Sequence, residues 1–420
     1  MSKIRLLQIA YRSAWAIDTF FAALGNEHIA ENFELSAVSG LEKDRGVAVS
    51  ALEEAIAYRE AQLPYQPDKR KERIRGQIKT ARGLLDDLKK GKVAYINSKE
   101  LEGLGKEIRN IADAMVIHSV NTSHLEKINF GREHQLHIIC EKPLVPVLDS
   151  NGNSSREELD ELSWIVNSGN PGLLVDAEHY AYKPSSMMFY KNVMDLITSP
   201  IKRVVGEIME IDHPNSPRTR QVLSRDNRTG LVTDTIGHLV SFVTNLGAEI
   251  VPTDVKFGYY PGYAVETYAD AKYRVKALNN RFTKDATAEL KVAKFIDKFK
   301  ELRDVESKFI RFEFEKTDAE GRPDFVQVNL NNGGLVVRRN GVEAYVRDEV
   351  PANPNEYVNL LTRVNYAIRN GDPSAVPTNA RNSLTTLDAM VKTYECFERN
   401  PQKVDVYRDP YAVGPVQISL

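Results

Sequence analysis

Cysteine is nearly absent from this 420-residue chain, which has only Cys140 and Cys396. Two distant thiols supply neither a metal-ligating cluster nor a disulfide framework, so neither is expected to organise the fold, and no metal site is expected. An excess of one charge is missing too: 56 Lys and Arg against 58 Asp and Glu leave a formal net charge of −2. That balance gives no global attraction to nucleic acid or to an anionic membrane. No apolar run approaches the roughly 20 residues that span a bilayer, and "MSKIR" leads into a strand without a signal-peptide pattern. The expectation is a soluble, cytoplasmic chain whose partner is a small molecule, not nucleic acid or membrane. One further absence is local. "KIRLLQIAYRSAWAIDTFFAALG" reads as strand, turn and helix, the place for a glycine-rich phosphate loop, yet the turn Ala10-Tyr11-Arg12-Ser13-Ala14-Trp15 has no glycine.

What is present alternates. Ile4 to Ile9, Phe33 to Gly40, Ala112 to Val120 and Leu136 to Pro143 read as strands separated by helical patterns. That predicts an α/β domain with a parallel sheet over 1–145. A helical insertion is expected at about 50–92, with Ile74, Ile78, Ala81, Leu85 and Leu88 on one stripe among Lys and Arg. Over 146–420 the runs "IKRVVGEIMEID", "FIRFEFEK", "FVQVNL", "GLVVRR" and "VEAYVRD" alternate, and "NNGG" and "RNG" sit between consecutive strands as hairpin turns. They predict an α+β second domain with a largely antiparallel sheet. The charged stretch at about 264–305 reads as a second helical insertion, and Leu384 to Glu398 as a closing helix.

Cys140-Glu141-Lys142-Pro143 follows an apolar strand directly. Ligands of open parallel sheets bind beyond the carboxyl ends of strands, which places Lys142 at a crevice; a lysine marking a strand end fits the same position. "GLVTDTIGHLVSFV" sets Asp234 and His238 four residues apart on one helical face. An acid beside an imidazole orients it and stabilises its protonated form, as a general base requires. A helix-start aspartate with a packed histidine has the same spacing. "VDAEHYAYKPSS" adds His179, Tyr180 and Lys183, whose cation and imidazole suit a phosphate. At the end of the second strand Ser39-Gly40 bring no carboxylate for a ribose diol, and Lys43 and Arg45 follow. That favours a 2′-phosphate, and so NADP over NAD.

The stretch "DAMVIHSVNTSHLEKINFGREHQLHIICEKPLV" resembles the central segment of the Gfo/Idh/MocA family of NAD(P)-dependent sugar and polyol oxidoreductases. Asn121, His124, Glu141, Lys142 and Pro143 match at the family spacing, with Val120 where a proline is usual. Asp234-x-x-x-His238 after Gly230 resembles its second signature, with Ser241 where a second aspartate is frequent. The resemblance implies a Rossmann-like N-terminal domain, an α+β C-terminal domain and hydride transfer to or from a sugar, sugar phosphate or polyol. In that scheme Lys142 steadies the alkoxide and binds substrate, while His238 is the base, oriented by Asp234. Cofactor contacts are implied at Asn121, His124 and Glu141, with Ala10, Arg12, Ser13, Ser39, Gly40 and Lys43 from the first loop and second strand. Glu178, His179, Tyr180 and Lys183 are similar to a run in glucose-6-phosphate dehydrogenases that grips the sugar phosphate. A homo-oligomer is implied by the way the family pairs its second-domain sheets.

The departure lies in the first loop, where Ala10, Arg12 and Trp15 stand at the three fingerprint glycines. Arg12 crowds the backbone approach, though its guanidinium can bind phosphate itself, and Trp15 is expected to push helix from strand. The alternative function on this scaffold is a catalytically silent, ligand-sensing protein.

Overall fold

The computed structural model describes residues 2–13, 16–65, 68–168, 172–301, 305–331, 334–347 and 352–408. It consists of two compact units: Met1–Val145, Asp160–Pro184 and Ala352–Ser383 form the first, and Pro146–Leu159, Ser185–Pro351 and Leu384–Leu420 the second. No described helix is long and apolar enough to cross a membrane.

The first unit is built on β1 (Ile4–Ile9), β2 (Phe33–Gly40), β3 (Ala94–Asn97), β4 (Ala114–Ile117), β5 (His137–Cys140) and β6 (Leu174–Asp176). All pair parallel, in the order β3-β2-β1-β4-β5-β6. Leu6, Leu7 and Ile9 in β1 and every residue of β4 are buried, as near-continuous apolar strands covered on both faces should be. The order reverses between β1 and β4, the topological switch point of an open parallel sheet. The register pairs Ile9 with Ser39 and Ile117, Ile117 with Cys140, and Cys140 with Asp176. One sheet edge therefore presents Ala10, Gly40, His118, Glu141 and Ala177 in a row.

The stretch around 50–92 is helical, as Arg45–Gln62 and Asp68–Lys89. Asp44 caps the first of these by accepting from the Val47 amide at 3.0 Å. Ile78, Ala81, Leu85 and Leu88 form the buried stripe of the second. After the glycine-free loop the chain makes a π turn at Ala16–Phe20 before the short α-helix Phe21–Leu24. The helix Glu356–Asn370 joins this unit late in the sequence, and its Asn355 cap accepts from the Tyr357 amide.

The second unit contains β7 (Ile201–Met209), β8 (Ala248–Gly258), β9 (Tyr268–Ala277), β10 (Phe282–Ala293), β11 (Ser307–Thr317), β12 (Pro323–Asn329), β13 (Leu335–Arg339), β14 (Val342–Val346) and β15 (Gln402–Lys403). Their order is β14-β13-β12-β11-β7-β10-β9-β8-β15. Only the β7–β10 and β8–β15 pairs are parallel among these neighbours. The helical insertion expected at about 264–305 is not there, because β9 and β10 occupy most of it. Ala271, Tyr273 and Val275 are buried while Lys272, Arg274 and Lys276 are exposed, a period of two. The density of charge along that outer face disguises the strand as a solvated helix.

At "RNG" Asn340 and Gly341 have φ of 49° and 84°, so both central residues of the β13–β14 turn are left-handed, as a type I′ hairpin needs. Asn332 and Gly333 of the other expected turn lie outside the described residues. The closing helix runs over Ala380–Arg399. Close packing of a second helix, Gly237–Asn245, uses Gly206, where a side chain would meet Leu239 and Leu290.

Candidate functional site

The first loop keeps the backbone of a glycine turn without the glycine. Ala10 has φ of 56°, a left-handed conformation that costs a Cβ-bearing residue about 1–2 kcal/mol. The Ala10 amide donates to the Ser39 carbonyl at 3.0 Å and its own carbonyl accepts from Ser13 N–H at 2.9 Å. Ser13 Oγ then accepts from the Ala16 amide at 3.1 Å, capping the turn that follows. Tyr11 is buried and donates to the Ala48 carbonyl. Its phenol pKa is pushed up by burial and by Glu42. Trp15 lies outside the described residues.

Arg12 is drawn to Glu42, at 2.7 Å. The Glu42 carboxylate is buried and folds back into the space that a side chain on Gly40 would fill, where Tyr95 donates to it at 3.0 Å. The end of β2 therefore does carry a carboxylate, contrary to the expectation from residue order. Lys43 and Arg45 stand exposed beside it, and the Ser39 hydroxyl is buried at the strand end. A left-handed turn, an arginine and a strand-end carboxylate fit the adenosine half of a dinucleotide. At this position side chains stand where the fingerprint would use bare backbone.

Lys142 stands beyond the end of β5. Glu141 N–H donates to the Ile117 carbonyl at 2.9 Å and Ala177 N–H to the Cys140 carbonyl at 2.7 Å, which knits the ends of β4, β5 and β6 together. The Lys142–Pro143 peptide is cis. Glu141, Asp176 and Glu178 are all buried around this half-buried lysine. Burial pushes the Glu141 carboxyl well above the ordinary range; Lys142 opposes that, while Asp176 and Glu178 add to it. Asp176 is likewise raised by burial and by Glu178, against Lys142 and a hydrogen bond with Ser383. Tyr357 donates its hydroxyl to Glu141.

The remaining expected residues of this unit take definite places. His124 is buried, with Nδ1 2.8 Å from the Pro143 carbonyl and Nε2 3.0 Å from that of Ser119. Burial lowers its pKa. It thus pins the Glu-Lys-Pro turn to the turn after β4, where half-buried Asn121 begins a 3-10 helix. The His179 ring packs on Tyr180 with centroids 4.6 Å apart, and the Lys183 ammonium lies 3.8 Å above the buried Tyr180 ring.

Asp234 and His238 belong to the second unit. Asp234 lies in a π turn, Val232–Ile236, and His238 is buried in the α-helix Gly237–Asn245 that continues it. The regular helix expected over both is thus interrupted on the aspartate side. A buried carboxyl group, Glu266, accepts from Val232 N–H at 3.0 Å and from the Tyr394 hydroxyl at 2.6 Å at the helix start, and burial raises its pKa. A side chain on Gly230 would collide with it, which gives that glycine its reason. Asp234 Oδ2 is 3.8 Å from Lys294 Nζ, and the same ammonium pairs with Glu210 and, at 3.1 Å, with Asp212. Burial lowers the Lys294 pKa, but Glu210, Asp234 and Asp212 outweigh it and raise it. For Glu210 burial raises the pKa, and Lys294 and Lys308 overcome that to hold it at about 2. Ser241 Oγ donates to the His238 carbonyl.

Residue patterns missed Glu42, His118, Asp176, Tyr357 and Lys294. Only Asp176 had a usable signal, as the first acid of "DAE" at a strand end. No family model matches the chain, and no curated protein matches it in sequence. Solved structures match along its length. The 3-ketoreductase KijD10 from Actinomadura kijaniata, solved with NADP and TDP-benzene, is 13% identical with a TM-score of 0.63, covering 97% of this chain and 100% of that one. An inositol dehydrogenase homologue from Azotobacter vinelandii, complexed with NAD+, is 13% identical with a TM-score of 0.66, covering 95% and 96%. Aldose-aldose oxidoreductase from Caulobacter crescentus, complexed with glycerol, is 14% identical with a TM-score of 0.63, covering 95% and 98%. The chain has the fold of the Gfo/Idh/MocA-type oxidoreductases.

Proposed function

We propose that this protein is an NAD(P)-dependent oxidoreductase that moves hydride between a nicotinamide and the carbinol carbon of a sugar, sugar phosphate or polyol. The observation that carries the proposal is Lys142, a cation set among buried carboxyls at the carboxyl end of β5 in a fold shared with NAD(P)-bound sugar enzymes. When bound, the nicotinamide supplies or accepts the hydride. Lys142 donates a hydrogen bond to the reacting hydroxyl and steadies the alkoxide charge. His238 takes the hydroxyl proton, with Asp234 as its orienting acid. His179, Tyr180 and Lys183 hold the distal end of the substrate, with phosphate the group best suited to the lysine. In the reductive direction the same groups return the proton.

For the cofactor, Arg12, Lys43 and Arg45 favour NADP through its 2′-phosphate. One observation favours NAD instead: the Glu42 carboxylate at Gly40 would accept from a ribose diol and repel a phosphate. The first unit is the nucleotide-binding part, the second bears the oligomer-forming sheet, and the working form is a homo-oligomer. A panel of sugars, sugar phosphates and polyols, each tried with NADP and NAD in both directions, tests the function by reduced-nicotinamide absorbance. Turnover with at least one member is expected. Tight nucleotide binding with no turnover across the panel would favour the ligand-sensing alternative.

A further inference from the structure

Beneath Lys142 runs a buried chain of polar groups that the proposed reaction does not use. Gln8, in the middle of β1, donates from Nε2 to the Ile9 carbonyl at 2.7 Å and meets His118 Nδ1 at 2.7 Å. The Nδ1 atom facing a donor must be bare, so the His118 proton sits on Nε2. Nε2 is 3.0 Å from the Tyr357 hydroxyl, which in turn donates to Glu141. Each link points the same way: Gln8 to His118, His118 to Tyr357, Tyr357 to Glu141. Reversing either of the first two would move the imidazole proton to Nδ1 and set it against the Gln8 N–H. Burial holds the His118 pKa at about 3, so the imidazole stays neutral and the direction is kept across ordinary pH. Phe20, from the π turn after the first loop, packs against both rings at centroid distances of 5.5 and 6.2 Å and closes the chain from the side.

The chain ends in a cluster with too many acids. Glu141, Asp176 and Glu178 are buried around one ammonium, Lys142, and His118 approaches Glu141 Oε1 at 3.6 Å without a charge. Three buried carboxylates cannot all stay ionised against one cation. Their hydrogen bonds are unequal. Glu141 receives the Tyr357 hydroxyl and the Lys142 amide, and Glu178 receives the Tyr180 amide at 3.0 Å. Asp176 receives the Ser383 hydroxyl alone, and its Oδ1 is buried with no hydrogen-bond partner among the described residues.

We infer that Tyr357 is a positioning residue for Lys142: the one-way chain through it fixes the negative charge on Glu141 against the ammonium, and the spare proton of the cluster is kept on Asp176. A donor-rich carboxylate holds its charge, and a donor-poor one beside it takes the proton. The arrangement sets a fixed carboxylate, Glu141, against the Lys142 ammonium and removes the charge of its neighbour Asp176. It gains its use from the proposed role of Lys142, yet it is measurable on the protein alone, without nucleotide or sugar, so it stands or falls separately from that role.

Infrared spectroscopy at neutral pH, with deuterium exchange to identify protonated carboxyl C=O stretches, tests it. Asp176→Asn should abolish one such band, while Glu141→Gln should leave that band in place. Tyr357→Phe should add a band, because Glu141 loses its hydroxyl donor and takes up a proton. A band lost in Glu141→Gln and kept in Asp176→Asn would overturn the inference, as would a Tyr357→Phe spectrum identical to the parent. Should Tyr357→Phe fail to fold, the first two variants still decide where the proton lies.

Discussion

Lys142 sits at a strand end among buried acids, and replacing it should therefore remove charge stabilisation while leaving the fold intact. Lys142→Ala is expected to lower turnover about a hundred- to a thousandfold, the usual cost of losing one preorganised donor to a developing oxyanion. Circular dichroism should show unchanged structure. Arg12 offers a second test. Its guanidinium is shared with Glu42, so Arg12→Ala should weaken NADPH by about tenfold, the worth of one charge-assisted hydrogen bond, and NADH by much less. Equal weakening of both, in a fluorescence titration, would remove Arg12 and the 2′-phosphate preference together. Lys142 was legible because an apolar strand followed by Glu-Lys-Pro fixes where its side chain must emerge. Glu42 was not, since its carboxylate reaches the strand end only by folding over a glycine two residues earlier. Tyr357 could not be found from residue order at all, being 216 positions from the carboxylate it serves.

Turns and helix starts carry the strain and the caps. Ala10 holds a left-handed turn that glycine would adopt without penalty, so Ala10→Gly should be neutral to stabilising. Ala10→Val should cost about 1–2 kcal/mol in denaturant unfolding, because a branched side chain tolerates positive φ worst. Gly230 is the reverse case. A methyl there would displace Glu266 from the amide at the start of the π turn, and Gly230→Ala should destabilise by about 1–3 kcal/mol through the stranded acid. The parallel sheet was readable from its alternation of short apolar runs with helical patterns, and the Asn340-Gly341 hairpin from its turn residues. The stretch over 264–305 was misjudged for a physical reason. β9 and β10 turn a row of lysines, an arginine and acids to their outer face, and charge density outweighed the two-residue alternation. The π turn at Val232–Ile236 had no sequence signature, and Glu266, which accepts from its first amide, lies 34 residues away.

At the scale of the whole molecule the two units respond oppositely to acid. Glu210 in the second unit has a folded pKa of about 2, below its unfolded value. Its contribution to stability is therefore complete above about pH 4.5 and lost as pH falls towards 2. Glu141 and Asp176 in the first unit are raised, so each opposes folding once pH exceeds its unfolded value, and mild acid relieves them. Unfolding followed separately in each unit should show the first gaining stability between pH 7 and 5 while the second begins to weaken below about pH 4.5. Glu210→Gln should flatten the acid limb of the second unit alone. The function rests on nucleotide and sugar acting on one protein, and the most direct measurement is a fluorescence titration with NADPH and NADH, followed by addition of the sugar panel. Saturable nicotinamide binding, with the bound signal changing on addition of a sugar, oxidised sugar or sugar phosphate, is the predicted result. No binding of either nucleotide at any concentration would contradict it.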